Sequence, residues 1–376
     1  MRKHHSSLLA VGAVLLLILA ACTGGGASPS GAASEPASEA PASEAPSEAP
    51  ESEAPTADFL ACQVSDTGGI DDKGFNQNAY AGLEMAENEH GVEINFLEST
   101  AATDYERNIN TFIDEGCDLI ITVGFLLGDA TAAAAEANPD QLFSIVDFAY
   151  DPPYDNVQGL VFDTKSASML AGYLAAGMST TGVVGTFGGI QIGPVVDFMI
   201  GFEAGVNYYN DENGTAVDVI GWDSATEEGT FTGDFENQDN GRQTAEALIQ
   251  EGADIIFPVA GPVGLGAMAA VQDSGGDALY IGVDVDQAIS VPEYEDIMLS
   301  SVLKRIDNAV FASVEQAMAG SFEAPVYVGT LENEGVGLAP YHAFEGEVPE
   351  ELTSGIEALQ EALISGDVVA DDWATP

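Results

Sequence analysis

The sequence predicts an α/β protein of two doubly wound lobes, each a parallel sheet with helices on both faces, behind a secretion signal and a stalk. Three observations carry this. Strand-like and helix-like segments alternate with short links from residue 58 onward. The alternation restarts after Asp163. The part that can fold, about 320 residues, is long for a single core. A cleft between two lobes is then the default ligand site.

At the amino terminus, Arg2 and Lys3 precede an apolar run over residues 8–21. That run is too short to span a membrane as a stable helix and reads as a signal region. It ends Leu19, Ala20, Ala21, Cys22, which resembles a bacterial lipobox. Residues 1–21 are therefore expected to be a lipoprotein signal peptide, and Cys22 the lipidated first residue of the mature chain. Residues 22–57 are mostly Gly, Ala, Ser, Pro and Glu, with no aromatic or large aliphatic side chain, so no core can form there. They read as a stalk reaching up to roughly 100 Å if extended. No later stretch is apolar and long enough to span.

The folding part reads in order as strand 59–64, helix 75–89, strand 92–97, helix 103–115, strand 119–123, an Ala-rich helix 127–137, and strands 142–146 and 157–161. The pattern then restarts with helix 165–178, strand 183–187, helix 194–209, strand 216–221, helix 238–251, strand 254–257, helix 263–273 and strand 278–283. Such repetition means βα units on parallel sheets. The last part has a strand at 297–302, a helix at 304–319 and a strand at 325–328. It is expected to return to the first lobe and then cross to the second. Lobe 1 is thus expected to hold residues 58–163 and 285–324, and lobe 2 residues 164–284 and 325–376.

In open α/β sheets the carboxyl ends of the strands face the ligand. Four of them end in a carboxylate: Asp66, Asp147, Asp223 and Asp284. Lys304 ends a fifth. Such groups hydrogen-bond hydroxyls and would suit a sugar, whereas helix capping explains any one carboxylate but less easily the set. The first strand-to-helix loop crowds Asp66, Gly68, Gly69, Lys73, Phe75 and Asn76 together. An aromatic ring beside polar groups suits a flat ligand with a polar edge; the alternative is a capped loop with Phe75 tucked into the core.

Of 62 acidic residues six lie in the stalk, which leaves 56 acids against six bases in the folding part. Nucleic acid is not expected as a partner, since binding it needs basic patches. The surplus acid suits salty surroundings, where screening relieves self-repulsion. Each base is therefore informative, and the mature chain's three lysines are Lys73, Lys165 and Lys304. Cys62 lies in the first strand and Cys117 just before the third. A disulfide is conceivable outside the cytoplasm, but two buried free thiols are the expectation. No histidine pair or Cys-x-x-Cys has metal-ligand spacing, so neither a metal nor another cofactor is expected. No nucleophile elbow or P-loop occurs.

The loop from Asp66 to Asn76, the stretch from Asp284 to Gln287 and the stretch from Ser300 to Arg305 together resemble one family. Further matches lie at Gly185 to Gly189, Pro194 to Val196, Gly201 to Val206, Gly252 to Phe257 and Ala260 to Gly266. The family is that of the basic membrane proteins, nucleoside-binding lipoproteins that serve ABC importers. The resemblance covers residues 58 to about 340. It implies a type I periplasmic-binding-protein fold with a hinge of three crossovers, a lipid-anchored extracytoplasmic receptor, and no catalysis. It implies a nucleoside ligand, purine in kind, and permease and ATPase subunits as partners of a monomer. By this resemblance Phe75 and Phe235 stack on the base, Asn76 and Asp147 contact its edge, and Asp284 and Lys304 hold the ribose near Gly261. Asp66 is a further site carboxylate. A sugar receptor of the same fold, a nucleoside hydrolase and a surface sensor are the alternatives.

Overall fold

The apolar runs become strands and the periodic stretches become helices in the computed structural model, which describes residues 58–324 and 326–374. The signal peptide, Cys22 and the stalk lie outside the described residues. The remainder falls within one compact unit. Its first half is β1 (Leu60–Ser65), α1 (Phe75–His90), β2 (Glu93–Leu97), α2 (Tyr105–Glu115), β3 (Leu119–Val123), α3 (Gly128–Ala137), β4 (Leu142–Val146) and β5 (Val157–Phe162). The second half runs α4 (Thr164–Met178), β6 (Val183–Gly188), α5 (Gly193–Asn213), β7 (Asp218–Ile220), a small ribbon of β8 (Trp222–Asp223) and β9 (Glu228–Gly229), α6 (Gln238–Gln250), β10 (Ile255–Val259), α7 (Val263–Asp273), β11 (Leu279–Asp284) and α8 (Gln287–Ser290). The chain closes with β12 (Met298–Lys304), α9 (Ile306–Met318), β13 (Tyr327–Gly329), β14 (Val336–Leu338) and α10 (Glu350–Ser365).

Two six-stranded sheets result, in the orders β13-β5-β4-β3-β1-β2 and β14-β12-β11-β10-β6-β7. All pairings are parallel except β12 with β14. The central strands β3 and β10 are buried along their whole length, as strands covered on both faces must be. In the first lobe α1 and α9 cover one face and α2 and α3 the other. In the second, α4, α5 and α10 cover one face and α6 and α7 the other. The α4 and α5 backbones nearly touch. A methyl group on Gly205 would strike the Met169 carbonyl, and one on Gly172 the Phe202 carbonyl.

Two of the expected lobe boundaries need correction. Residues 285–304 belong to the second lobe, not the first. β12 pairs with β11, and Ala288, Val291 and Ile297 pack in the second-lobe core. A short crossover from β11 to its neighbour keeps the chain in one sheet. Only at α9 does it return. β13 belongs to the first lobe, where it pairs with β5. The three crossings lie at Asp163, at Arg305 and between β13 and β14. They are tied together: Asp163 N donates to Gly329 O at 2.8 Å and Arg305 N to Gly335 O at 2.9 Å.

The cysteines also depart from expectation. Cys62 and Cys117 form a disulfide, with Cα atoms 6.1 Å apart. β1 and β3 are neighbours, and the turn entering β3 sets Cys117 beside β1.

Candidate ligand-binding site

The carboxyl ends of both sheets face a shared cavity that is partly open to solvent. All eight residues singled out from the sequence line it: Asp66, Phe75, Asn76, Asp147, Phe235, Gly261, Asp284 and Lys304. Asp223, the fourth strand-end carboxylate, does not. It accepts a hydrogen bond from Ala225 N at 2.8 Å and caps its own turn.

The first-lobe wall is built by the loop after β1. Asp72 is buried, and its carboxylate accepts from the backbone N–H groups of Gly74, Asn76 and Gln77 at 2.7–3.1 Å. A carboxylate at a helix amino end satisfies donors the helix leaves unpaired. This fixes the first turn of α1, where Phe75 and Asn76 sit. Burial pushes the Asp72 carboxyl up, against the pull of those N–H groups. Asp66 accepts from Asn76 Nδ2 at 2.7 Å and Gly68 N at 3.1 Å. Burial nevertheless raises its carboxyl to about 6.

Lys304 stands at the junction of the lobes. Its side chain is 2% exposed. Nζ donates to Asp147 Oδ2 at 2.5 Å and lies 3.8 Å from Asp284 Oδ1. It also lies over three aromatic rings, 4.7 Å from the centroid of Phe75, 5.5 Å from Phe162 and 5.7 Å from Phe198. Such a cage of carboxylates and ring faces compensates a buried ammonium. Asp147 and Asp284 occupy matching places, at the ends of β4 and β11. Both adopt left-handed backbone, with φ of 66° and 68°. That conformation costs roughly 1–2 kcal/mol per residue and is typical of functional sites. Burial lifts the Asp284 carboxyl to about 6; Lys304 opposes this, and Asp147, Asp72 and Asp66 add to it.

Phe75 packs in part on the first-lobe core and Phe235 on the second. Phe235 lies against the backbone of Gly189, where any side chain would run into its ring. At Gly261, whose φ is +53°, an added methyl group would come to 3.9 Å from the Phe235 carbonyl oxygen. Of the other lysines, Lys165 pairs with Asp371 at 2.6 Å and Asp197 at 3.4 Å, and Lys73 lies outside the cavity. Several lining residues went unassigned in the sequence reading. Asp72 carries only an Asp signal in a loop rich in Asp. Phe125 and Leu126 follow β3. Pro194, Val195 and Phe198 form one face of the first turns of α5, and that spacing is the signal that could have found Phe198.

A family model described as "ABC transporter substrate-binding protein PnrA-like" matches residues 59–364. The chain belongs to this Bmp family. Basic membrane protein A of Borreliella burgdorferi is 31% identical over 309 residues, covering 80% of this chain and 85% of that one. A lipoprotein of Pyrococcus abyssi is 29% identical over 345 residues, covering 90% and 77%. The crystal structure of an ABC transporter solute-binding protein from Aeropyrum pernix aligns with a TM-score of 0.74 at 28% identity, over 83% of this chain and 92% of that one. The fold is thus the type I periplasmic-binding fold. This Bmp member is a substrate-binding protein of an ABC transporter and not an enzyme, with a small-molecule ligand and permease partners. Among the described residues no helix is long and apolar enough to cross a membrane.

Proposed function

We propose that the protein captures a purine nucleoside between its lobes and delivers it to the permease from the outer face of the cell membrane, anchored there by lipid on Cys22. The observation that carries this is the meeting of Phe75 and Phe235, from opposite lobes, on one cavity that also holds a polar edge and a carboxylate–ammonium cluster. The two rings stack on the base, Asn76 and Asp147 meet its edge, and Asp284 and Lys304 hold the ribose hydroxyls beside Gly261. Charge-assisted bonds of this kind are the stronger ones. Asp66, Asp72, Asp147 and Asp284 line the cavity with Lys304 as its one basic residue, so the cavity is anionic and disfavours a phosphorylated ligand. Lobe closure about the three crossings is the expected motion. The lipobox-like Cys22 and the lipoprotein name of the Pyrococcus relative support the anchor.

The test is calorimetric titration of the purified protein with inosine, guanosine, adenosine and cytidine, with ribose as competitor. Binding of purine nucleosides is expected. Phe75→Ala should weaken it by roughly tenfold or more, because stacking on an aromatic ring is worth about 1–3 kcal/mol per base. Flat heats for every nucleoside, with binding of ribose, would favour a sugar receptor instead.

A further inference from the structure

Among the described residues, and leaving aside the crossings themselves, three side-chain hydrogen bonds join residues of opposite lobes. Two belong to Lys304, which directly precedes the crossing at Arg305. Its Nζ donates to Asp147 at 2.5 Å, and its carbonyl accepts from Asn78 Nδ2 at 2.8 Å. The third stands apart. Ser290 Oγ, at the end of α8, donates to the backbone carbonyl of Lys73 at 3.0 Å. Neither residue lines the ligand cavity, and neither adjoins a crossing in sequence. The two ride on different lobes, so an opening about the crossings breaks the bond.

Both ends are held by contacts within their own lobe. The Asp72 carboxylate accepts from Gly74 N at 3.0 Å and from Asn76 N at 2.7 Å, which fixes the backbone on either side of Lys73. Lys73 itself is left-handed, with φ of 62°, a conformation that residues other than glycine seldom adopt. On the other side, Gln287 N donates to Ser301 Oγ at 3.1 Å, and Asp286 meets His342 Nε2 at 2.7 Å. These bonds tie α8 to β12 and to the segment after β14. Lys73 is also the one first-lobe residue lining a groove of the second lobe, between α6, α7 and α8. Asp239 and Glu293 stand in that groove with Arg242, which is already paired with Glu246 and Asp273. The groove therefore favours an incoming ammonium. We propose that Lys73 and Ser290 form a latch outside the ligand cavity, made when the lobes close, that slows the release of bound ligand. Ser290 touches no ligand in this account and is a positioning residue, acting through the Lys73 loop. The inference rests on the lobe closure of the functional reading and goes beyond its ligand contacts.

The test compares wild type, Ser290→Ala and Ser290→Thr by calorimetry and by stopped-flow binding of inosine. Ser290→Ala removes the donor, and Ser290→Thr keeps a hydroxyl. Ser290→Ala should bind roughly threefold to tenfold more weakly, the worth of one hydrogen bond. The loss should lie in faster dissociation, with association unchanged, because the latch is made only after the ligand has entered. Ser290→Thr should restore slow release. Equal dissociation rates in wild type and Ser290→Ala would overturn the latch while leaving the nucleoside reading standing. So would a loss confined to association, which would place the effect in the open second lobe. If ribose binds and inosine does not, the nucleoside reading falls and the same comparison with ribose decides the latch. Binding of neither would overturn both.

Discussion

Replacing Lys304 by Met keeps the length and apolar stem of the side chain and removes its charge. The ammonium sits 2.5 Å from Asp147 Oδ2 and 3.8 Å from Asp284 Oδ1, buried over the rings of Phe75, Phe162 and Phe198. Removing one member of a buried ion pair typically costs about 3–5 kcal/mol. At about 2–4 °C per kcal/mol for a large domain, the melting temperature at pH 7.5 should fall by roughly 10 °C. The loss should depend on pH in a definite direction. The Asp284 carboxyl, already raised to about 6, is held down by Lys304 and should rise further without it. A carboxyl raised in the folded state stabilises below its unfolded value, and that stability is lost as pH rises through the folded value. The deficit of the variant relative to wild type should therefore shrink between pH 7.5 and pH 5, where Asp284 takes up a proton. Thermal melts of both proteins at the two pH values measure this. A variant as stable as wild type at pH 7.5, or a deficit equal at both pH values, would refute the electrostatic account of the cluster.

Two further outcomes follow from packing and charge. Gly205→Ala drives a methyl group into the Met169 carbonyl across the α4–α5 contact and should destabilise by about 1–3 kcal/mol, read as a shift in the denaturation midpoint; no shift would mean the helices separate freely. With 56 acids against six bases in the folding part, the protein should melt higher in about 1 M salt than in about 0.01 M, because the screening length falls from about 30 Å to about 3 Å; equal melting would show that self-repulsion is unimportant.

The strands and helices were legible because a parallel sheet covered on both faces demands short apolar runs, and β3, β4, β6, β10 and β11 supply them. What a run cannot say is which sheet it joins. β12 reads the same in either lobe, and its partner β11 decides, so its assignment to the first lobe was wrong. The three-residue strand β13 was placed in the wrong lobe for the same reason. Cys62 and Cys117 carried too little to choose between thiols and a bridge until β1 and β3 were seen side by side. In the site, strand-end carboxylates and a lone strand-end lysine were visible because bases are so scarce. Asp72 and Phe198 were not. The first works through hydrogen bonds to backbone, and the second joins the wall only when α5 is laid across the cleft.

The most direct measurement is a crystal structure of the protein soaked or grown with guanosine. The base should lie between Phe75 and Phe235, with its ribose against Asp284 and Lys304 and its edge toward Asn76 and Asp147. A nucleoside bound elsewhere, or rings of Phe75 and Phe235 that leave the base unstacked, would contradict the account.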